Sequence, residues 1–166
     1  LALILGPKGW IAGPEIGSWT RDWLNRHGET PLGVARPAST AEVSAVMSAT
    51  HAAGVAVVPQ GGNTGLCAAA VAGRAGAVIL NLSRMSRIQS LDLTGGSVTL
   101  DAGVVLARLH DELDGTGQMF PMHLGAEGSA MIGGLIGTNA GGSQAFRYGM
   151  MQDLVLGLEV VLPDGS

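Results

Sequence analysis

The chain has 166 residues, enough for one domain with a real core and short for two. Charged residues make up 13% of it, where about 25% is usual, and the net charge of −4 offers no electrostatic footprint for nucleic acid or an anionic membrane. The lone cysteine, Cys67, excludes an internal disulfide and fits a reducing setting, so the expected location is cytoplasmic, or peripheral to the inner membrane.

Glycine accounts for 27 residues while aromatic residues make up only 4%. Backbone, not large rings, must therefore fill space, which favours close packing around a ligand. The opening Leu1-Ala2-Leu3-Ile4-Leu5 is too short to cross a bilayer and is cut off by Gly6-Pro7, so no transmembrane segment is expected. Residues 1–30 read as an N-terminal arm, a short helix and a loop anchored by Trp10, Trp19 and Trp23. Trp19 and Trp23 lie four apart, a spacing that lets them share a helical face. The domain proper is expected over 31–166.

Residues 32–36 read as a short strand closed by Pro37. Ser39-Thr40-Ala41-Glu42 is a capping box, opening a helix with Val43, Val46, Met47 and Ala53 on its apolar side and Gly54 as its stop. Residues 55–58 read as a buried strand that runs straight into Pro59-Gln60-Gly61-Gly62-Asn63-Thr64-Gly65-Leu66. From Ala52 to Gly73 there is no charged side chain. An anion held here must rest on backbone N–H groups and on the Asn63 and Thr64 side chains, in a loop where glycine admits close approach to the main chain. Helix, strand and glycine loop in this order put the loop at the carboxyl end of a strand, where ligands tend to sit.

Residues 77–82 form a further apolar strand. Residues 88–93 and 97–102 read as a hairpin around Thr94-Gly95-Gly96. A helix is expected over 104–114, with Val105, Leu109 and Leu113 facing inward and Gly115 and Gly117 ending it. A second charge-free, glycine-rich run covers 128–145, and residues 129–132 are read as one helical turn with its N–H groups toward a ligand. Residues 154–162 read as a strand ending at Pro163-Asp164-Gly165. A start without methionine and a stop in a hairpin turn lead us to expect a longer polypeptide.

Standard motifs narrow the chemistry. Neither G-x-x-x-x-G-K-[ST], G-x-G-x-x-G nor G-x-S-x-G occurs. His27, His51, His110 and His123 are scattered without metal-ligand spacing, so no metal site is expected. His51 and His110 read as helix-surface residues, His123 as close to the ligand, and Cys67 as a small apolar filler. Two neutral, glycine-lined walls suit a large ligand with a diphosphate and a broad flat ring, the shape of FAD.

These runs also carry a resemblance. Arg36-Pro37, VVPQGGNTGL over 57–66, LGAEGSAMIGGLIGTNAGG over 124–142, Arg147-Tyr148-Gly149 and LGLEVVLPDG over 156–165 resemble the FAD-binding domain of flavin-linked D-2-hydroxy acid dehydrogenases. That group includes D-lactate and D-2-hydroxyglutarate dehydrogenases and the FAD subunit of glycolate oxidase, within the vanillyl-alcohol oxidase / p-cresol methylhydroxylase (PCMH) fold. The resemblance implies an α+β fold of two α/β subdomains with FAD between them, the second truncated. It implies that Pro59, Gly61, Gly62, Asn63, Thr64, Gly65 and Leu66 wrap the diphosphate. It assigns the rest of the cofactor wall to Pro121, Leu124, Gly125, Gly128, Ser129, Ile132, Gly133, Gly134, Thr138, Asn139, Gly141 and Gly142.

Covalently flavinylated relatives carry a histidine after the paired glycines. Asn63 stands there, so the FAD is expected to be non-covalent. Cys67-Ala68-Ala69-Ala70 replaces further glycines of the family pattern, and Ile136-Gly137 stands where a small residue usually precedes the threonine. The implied reaction is oxidation of a D-2-hydroxy acid to the 2-oxo acid. Electrons would pass to a quinone, a cytochrome or an electron-transfer flavoprotein, and the resemblance places the catalytic base, the substrate-binding arginines and any metal ligands further along the chain. Another flavoenzyme of the same fold (alditol oxidase, ether-lipid synthase or enolpyruvyl reductase type) and a non-catalytic nucleotide-binding module are the alternatives.

Overall fold

The computed structural model describes residues 1–166, which divide into two compact units, Leu1–Arg84 with Glu159–Ser166, and Met85–Leu158. No helix is long and apolar enough to cross a membrane.

The first unit is built on a four-stranded sheet in the order β1-β2-β4-β3, with β1 at Trp10–Ile11, β2 at Gly33–Ala35, β3 at Val57–Gln60 and β4 at Val78–Asn81. β4 is parallel to both β2 and β3, and β1 is antiparallel to β2. All four residues of β4 are buried, as a central strand requires, and Ile79 packs with Val34 and Ile16. The apolar stretch before the glycine loop is expected to be buried. It forms the sheet edge instead, with Val57 and Val58 half-buried and Pro59 exposed. Proline lacks the N–H that a central strand would need, so the edge is where it fits.

Helix α1 spans Ala2–Gly9 with a break at Gly6, and residues 10–11 join the sheet as β1, so the first thirty residues belong to this unit. Trp19 and Trp23 do not share a helical face. A 3₁₀ segment ends at Trp19, where the Arg36 guanidinium lies 5.9 Å over the ring, and Trp23 sits beyond it, exposed.

Helix α2, Thr40–Ala52, starts where the capping box predicts. Ser39 Oγ accepts from Glu42 N at 3.2 Å, while Glu42 reaches back to Ala38 N at 2.7 Å. At the other end Gly54, at φ +65°, gives its N–H to His51 O, and Val55 gives its own to Thr50 O, a Schellman closure. That use of Val55 delays the strand until Val57.

The second unit contains the predicted hairpin, β5 at Ile88–Asp92 and β6 at Ser97–Leu100, turned on Gly96 at φ +64°. Helix α3, Leu106–Leu113, buries Leu106, Leu109 and Leu113, and the expected inward residue Val105 is its cap. α4 covers Ile132–Gly137 and α5 covers Ala145–Tyr148. Leu106, Leu109, Met122, Ile132, Leu135 and Met151 form one core.

The strand expected over 154–162 is absent. A 3₁₀ turn occupies Met151–Leu154, and the following residues join no ladder. Leu156, Leu158, Val160 and Leu162 are all exposed. Apolar alternation marks the residues that a sheet would accept, but a strand exists only through a partner's hydrogen bonds. The final turn does form, with Ser48 Oγ donating to Asp164 O at 2.8 Å.

Candidate functional site

The first glycine loop is braced by two buried amides that no sequence motif marks. Gln60, at the end of β3, donates through Nε2 to Ala70 O at 2.8 Å and Trp19 O at 3.2 Å. Asn81, at the end of β4, donates through Nδ2 to Gly61 O at 3.1 Å and accepts from Ser83 N. Each is 3% exposed, so these bonds form away from competing water and fix the loop's two roots. Their signal in the sequence was a polar residue closing an apolar strand, in VVPQ and VILN.

Beyond those roots the loop has its main-chain donors free. From Gly61 to Leu66 no backbone N–H is given to an acceptor in the chain. Asn63 adopts φ +53°, in the left-handed region, and its side-chain amide donates to Arg21 O at 2.7 Å. The loop therefore offers an anion a set of backbone dipoles with its shape held by side chains behind it. A Cβ added at Gly65 would meet nothing within 4 Å, so that glycine is not required by the chain's own packing.

The second glycine run divides in two. Gly133 and Gly142 lack side chains because the unit leaves no space, while Gly141 meets only the movable end of Met150. A Cβ would lie 2.8 Å from Ala102 Cβ at Gly133, from Met150 Sδ at Gly141, and from both His123 N and O at Gly142. Gly125, Gly128 and Gly134 face open space, and none of their N–H groups has an acceptor in the chain. These three leave room and free donors for a ligand.

The helical turn expected at 129–132 lies elsewhere. Ser129 N and Ala130 N both bond to Ala126 O, closing a turn, and α4 begins only at Ile132. Its first N–H groups are taken by the 102–104 segment, Ile132 N by Val104 O and Gly133 N by Ala102 O. Those donors therefore point at protein and not at a ligand. Thr138 Oγ1 caps Gly134 O at 2.9 Å, and Asn139 Oδ1 accepts from Gln152 N at 2.9 Å. Pro121 and Leu124 belong to the segment packed on the core through Met122.

Two further readings change. Cys67 is exposed and is no core filler. His110 is largely buried, with 18% of its side chain accessible, and meets His123 and Glu127, residues that looked unrelated in the sequence.

The family of FAD binding domains matches residues 31–166. The chain belongs to this FAD-binding family. Its cofactor is FAD, and Gly61–Gly65, with open space at Gly65 and unclaimed amides throughout, fits the anionic part of that molecule. The chain is 41% identical over 160 residues to a mitochondrial D-2-hydroxyglutarate dehydrogenase of Danio rerio, covering 96% of this chain and 30% of that one. It is 39% identical over 153 residues to a D-2-hydroxyglutarate–pyruvate transhydrogenase of Saccharomyces cerevisiae, covering 92% and 30%. Among solved structures, 6-hydroxy-D-nicotine oxidase of Arthrobacter nicotinovorans superposes with a TM-score of 0.84 at 24% identity, over 100% of this chain and 36% of that one. The FAD-binding chain thus has the expected α+β PCMH-type fold, and it spans under a third of the length of the curated relatives it matches.

Proposed function

We propose that this FAD-binding chain is the cofactor-holding part of an oxidoreductase that converts a D-2-hydroxy acid, of the 2-hydroxyglutarate or lactate class, to its 2-oxo acid. The observation that carries the reading is the loop 61–66, rooted by buried Gln60 and Asn81, with every backbone N–H unclaimed and no charged side chain from Ala52 to Gly73. The names of the Danio rerio and Saccharomyces cerevisiae relatives support the substrate class.

In this reading the amides of Gly61, Gly62, Asn63, Thr64, Gly65 and Leu66 hold the cofactor's diphosphate by dipoles alone, without a cation that would over-neutralise it. Pro59 stiffens the entry to the loop. Pro121, Leu124, Gly125, Gly128, Ser129 and Gly134 form the wall nearest the cofactor. Ile132, Gly133, Thr138, Asn139, Gly141 and Gly142 shape that wall from behind through the contacts described above. FAD supplies the two-electron acceptance, and the chain supplies position and electrostatics. A reducing compartment suits the exposed Cys67, whether cytoplasm or the mitochondrion named for the zebrafish relative.

Anaerobic addition of D-2-hydroxyglutarate or D-lactate to the full-length protein is expected to bleach its flavin absorbance, with the L-enantiomers inert. The same protein would reduce an artificial dye or a quinone in turnover. A flavin that no D-2-hydroxy acid bleaches would overturn the substrate assignment while leaving FAD binding intact.

Asn63 leads to a second expectation. Its amide is no nucleophile and is already tied to Arg21 O at 2.7 Å. Denaturing the full-length flavoprotein and passing it through a filter should release all of its flavin fluorescence into the filtrate. Flavin retained on the polypeptide would show that attachment is covalent at another residue.

A further inference from the structure

The second unit brings together three metal-ligating side chains that neither the flavin chemistry nor the glycine runs require. His110 stands in the last turn of α3, His123 in the segment after Met122, and Glu127 in the turn that follows. His123 Nδ1 lies 3.2 Å from Glu127 Oε2, and His110 Nδ1 lies 3.7 Å from the same oxygen. The two imidazole rings are 4.3 Å apart, centre to centre. One ligand atom from each of the three residues falls within 4.8 Å of the others.

We propose that His110, His123 and Glu127 bind a divalent transition-metal ion of the zinc class. Two imidazoles and a carboxylate are a donor set that zinc takes, and an ion with bonds of about 2.0–2.1 Å in tetrahedral geometry sets its ligands about 3.3–3.4 Å apart. The two nitrogen–oxygen separations of 3.2 and 3.7 Å bracket that edge. His123 and Glu127 are 45% and 40% exposed, which gives the ion a path in and water for its fourth position.

The backbone holds the three residues in place independently of the ion. Ala107 N donates to Glu127 O at 3.0 Å and Glu127 N to Leu124 O at 3.1 Å, tying the carboxylate's turn to α3 one turn before His110. Ser143 N donates to His123 O at 2.8 Å, fixing the second ligand. His110 Nε2 is buried without a hydrogen-bond partner, so the ring's polar outlet is Nδ1, on the side of Glu127. An ion there would clasp residues 123–127 to the end of α3. Glu127 also fits the charge requirement, because one carboxylate partly offsets a dication where two neutral imidazoles cannot.

The test uses the full-length flavoprotein, stripped with a chelator and titrated with Co²⁺ and then Zn²⁺, beside the variants H110N, H123N and E127Q. Any ion held elsewhere in the protein is common to all four samples. The expected result is one more equivalent of Co²⁺ in the wild type than in each variant, with visible d–d bands that Zn²⁺ abolishes. Equal metal content in all four would overturn the proposal and leave a hydrogen-bonded trio only. Should a variant fail to fold, the wild type decides alone through diethylpyrocarbonate labelling with and without Zn²⁺. His123 labelling is expected to fall on adding Zn²⁺ while His27 and His51 stay unchanged, and His123 labelling that is indifferent to Zn²⁺ would refute the site.

Discussion

Gly142→Ala is expected to destabilise the Met85–Leu158 unit by about 2–3 kcal/mol, the upper part of the range for overpacking. A Cβ at this position would lie 2.8 Å from both the N and the O of His123 and 3.3 Å from Met122 Cα. These are backbone atoms, so no rotamer change relieves the clash. The His123 segment would have to move as a whole, breaking the Ser143 N–His123 O bond and disturbing Met122, which is fully buried in the core. Against a typical domain stability of 5–15 kcal/mol this is a large fraction, and thermal melting of the full-length variant should show it as an early transition.

Gly65→Ala is the matched control. With nothing within 4 Å of the added methyl, stability should stay within about 0.5 kcal/mol of wild type. FAD affinity should nonetheless fall by about tenfold, or 1.4 kcal/mol, because the methyl occupies the approach to free backbone amides. Wild-type flavin affinity in G65A would remove the first loop from the cofactor site. An unshifted melt in G142A would show that the His123 segment is soft.

Asp101→Ala should cost about 2–3 kcal/mol, through the loss of charged hydrogen bonds at a buried position. Asp101, 5% exposed, accepts from Arg87 N at 2.9 Å, Arg87 Nε at 3.2 Å and Gln89 Nε2 at 2.7 Å. It thereby pins the start of β5 to the end of β6. Burial alone pushes its carboxyl up, but the bonds from Arg87 N, from Gln89 and from the Arg87 guanidinium together outweigh burial and hold it below the ordinary value. The sign follows. A carboxylate with a depressed folded pKa adds stability that is complete above the unfolded-chain value of about 3.9 and is lost as pH falls through the folded value.

Asp101→Asn separates charge from shape. Its amide either keeps its oxygen toward Gln89 and sets its NH2 donor against Arg87, or turns its oxygen to Arg87 and needs the Gln89 amide to flip, and in both cases the charge is gone. The gap in melting temperature between wild type and D101N should therefore be full at pH 6 and shrink steadily on acidification below the unfolded value. A gap that stays constant to the lowest pH would show that the carboxylate's charge contributes nothing.

Several elements were legible because their signals are local. The Ser39–Glu42 cap, the Gly54 stop and the hairpin around Gly96 depend on groups within a few residues of each other, and each stands where the sequence put it. The expected strand over 154–162 failed for the opposite reason, since its alternation names a suitable segment but not a hydrogen-bond partner. The helical turn at 129–132 failed because Ala126 O takes the N–H groups of Ser129 and Ala130 in a preceding turn, and the distant Val104 O takes that of Ile132.

What the sequence determined by itself is the cofactor class, together with a charge-free glycine loop suited to an anion. A charge-free run with glycine where a side chain would intrude can be read residue by residue, because close approach and anion binding depend on local backbone. Only the tertiary structure decided which glycines serve packing, since Gly142 and Gly65 look alike until His123 is found against one and open space beside the other. It alone also turned Gln60 and Asn81 from strand ends into the loop's supports and gathered His110, His123 and Glu127. Such meetings depend on how separate segments cross in space, and no spacing along the chain encodes that crossing.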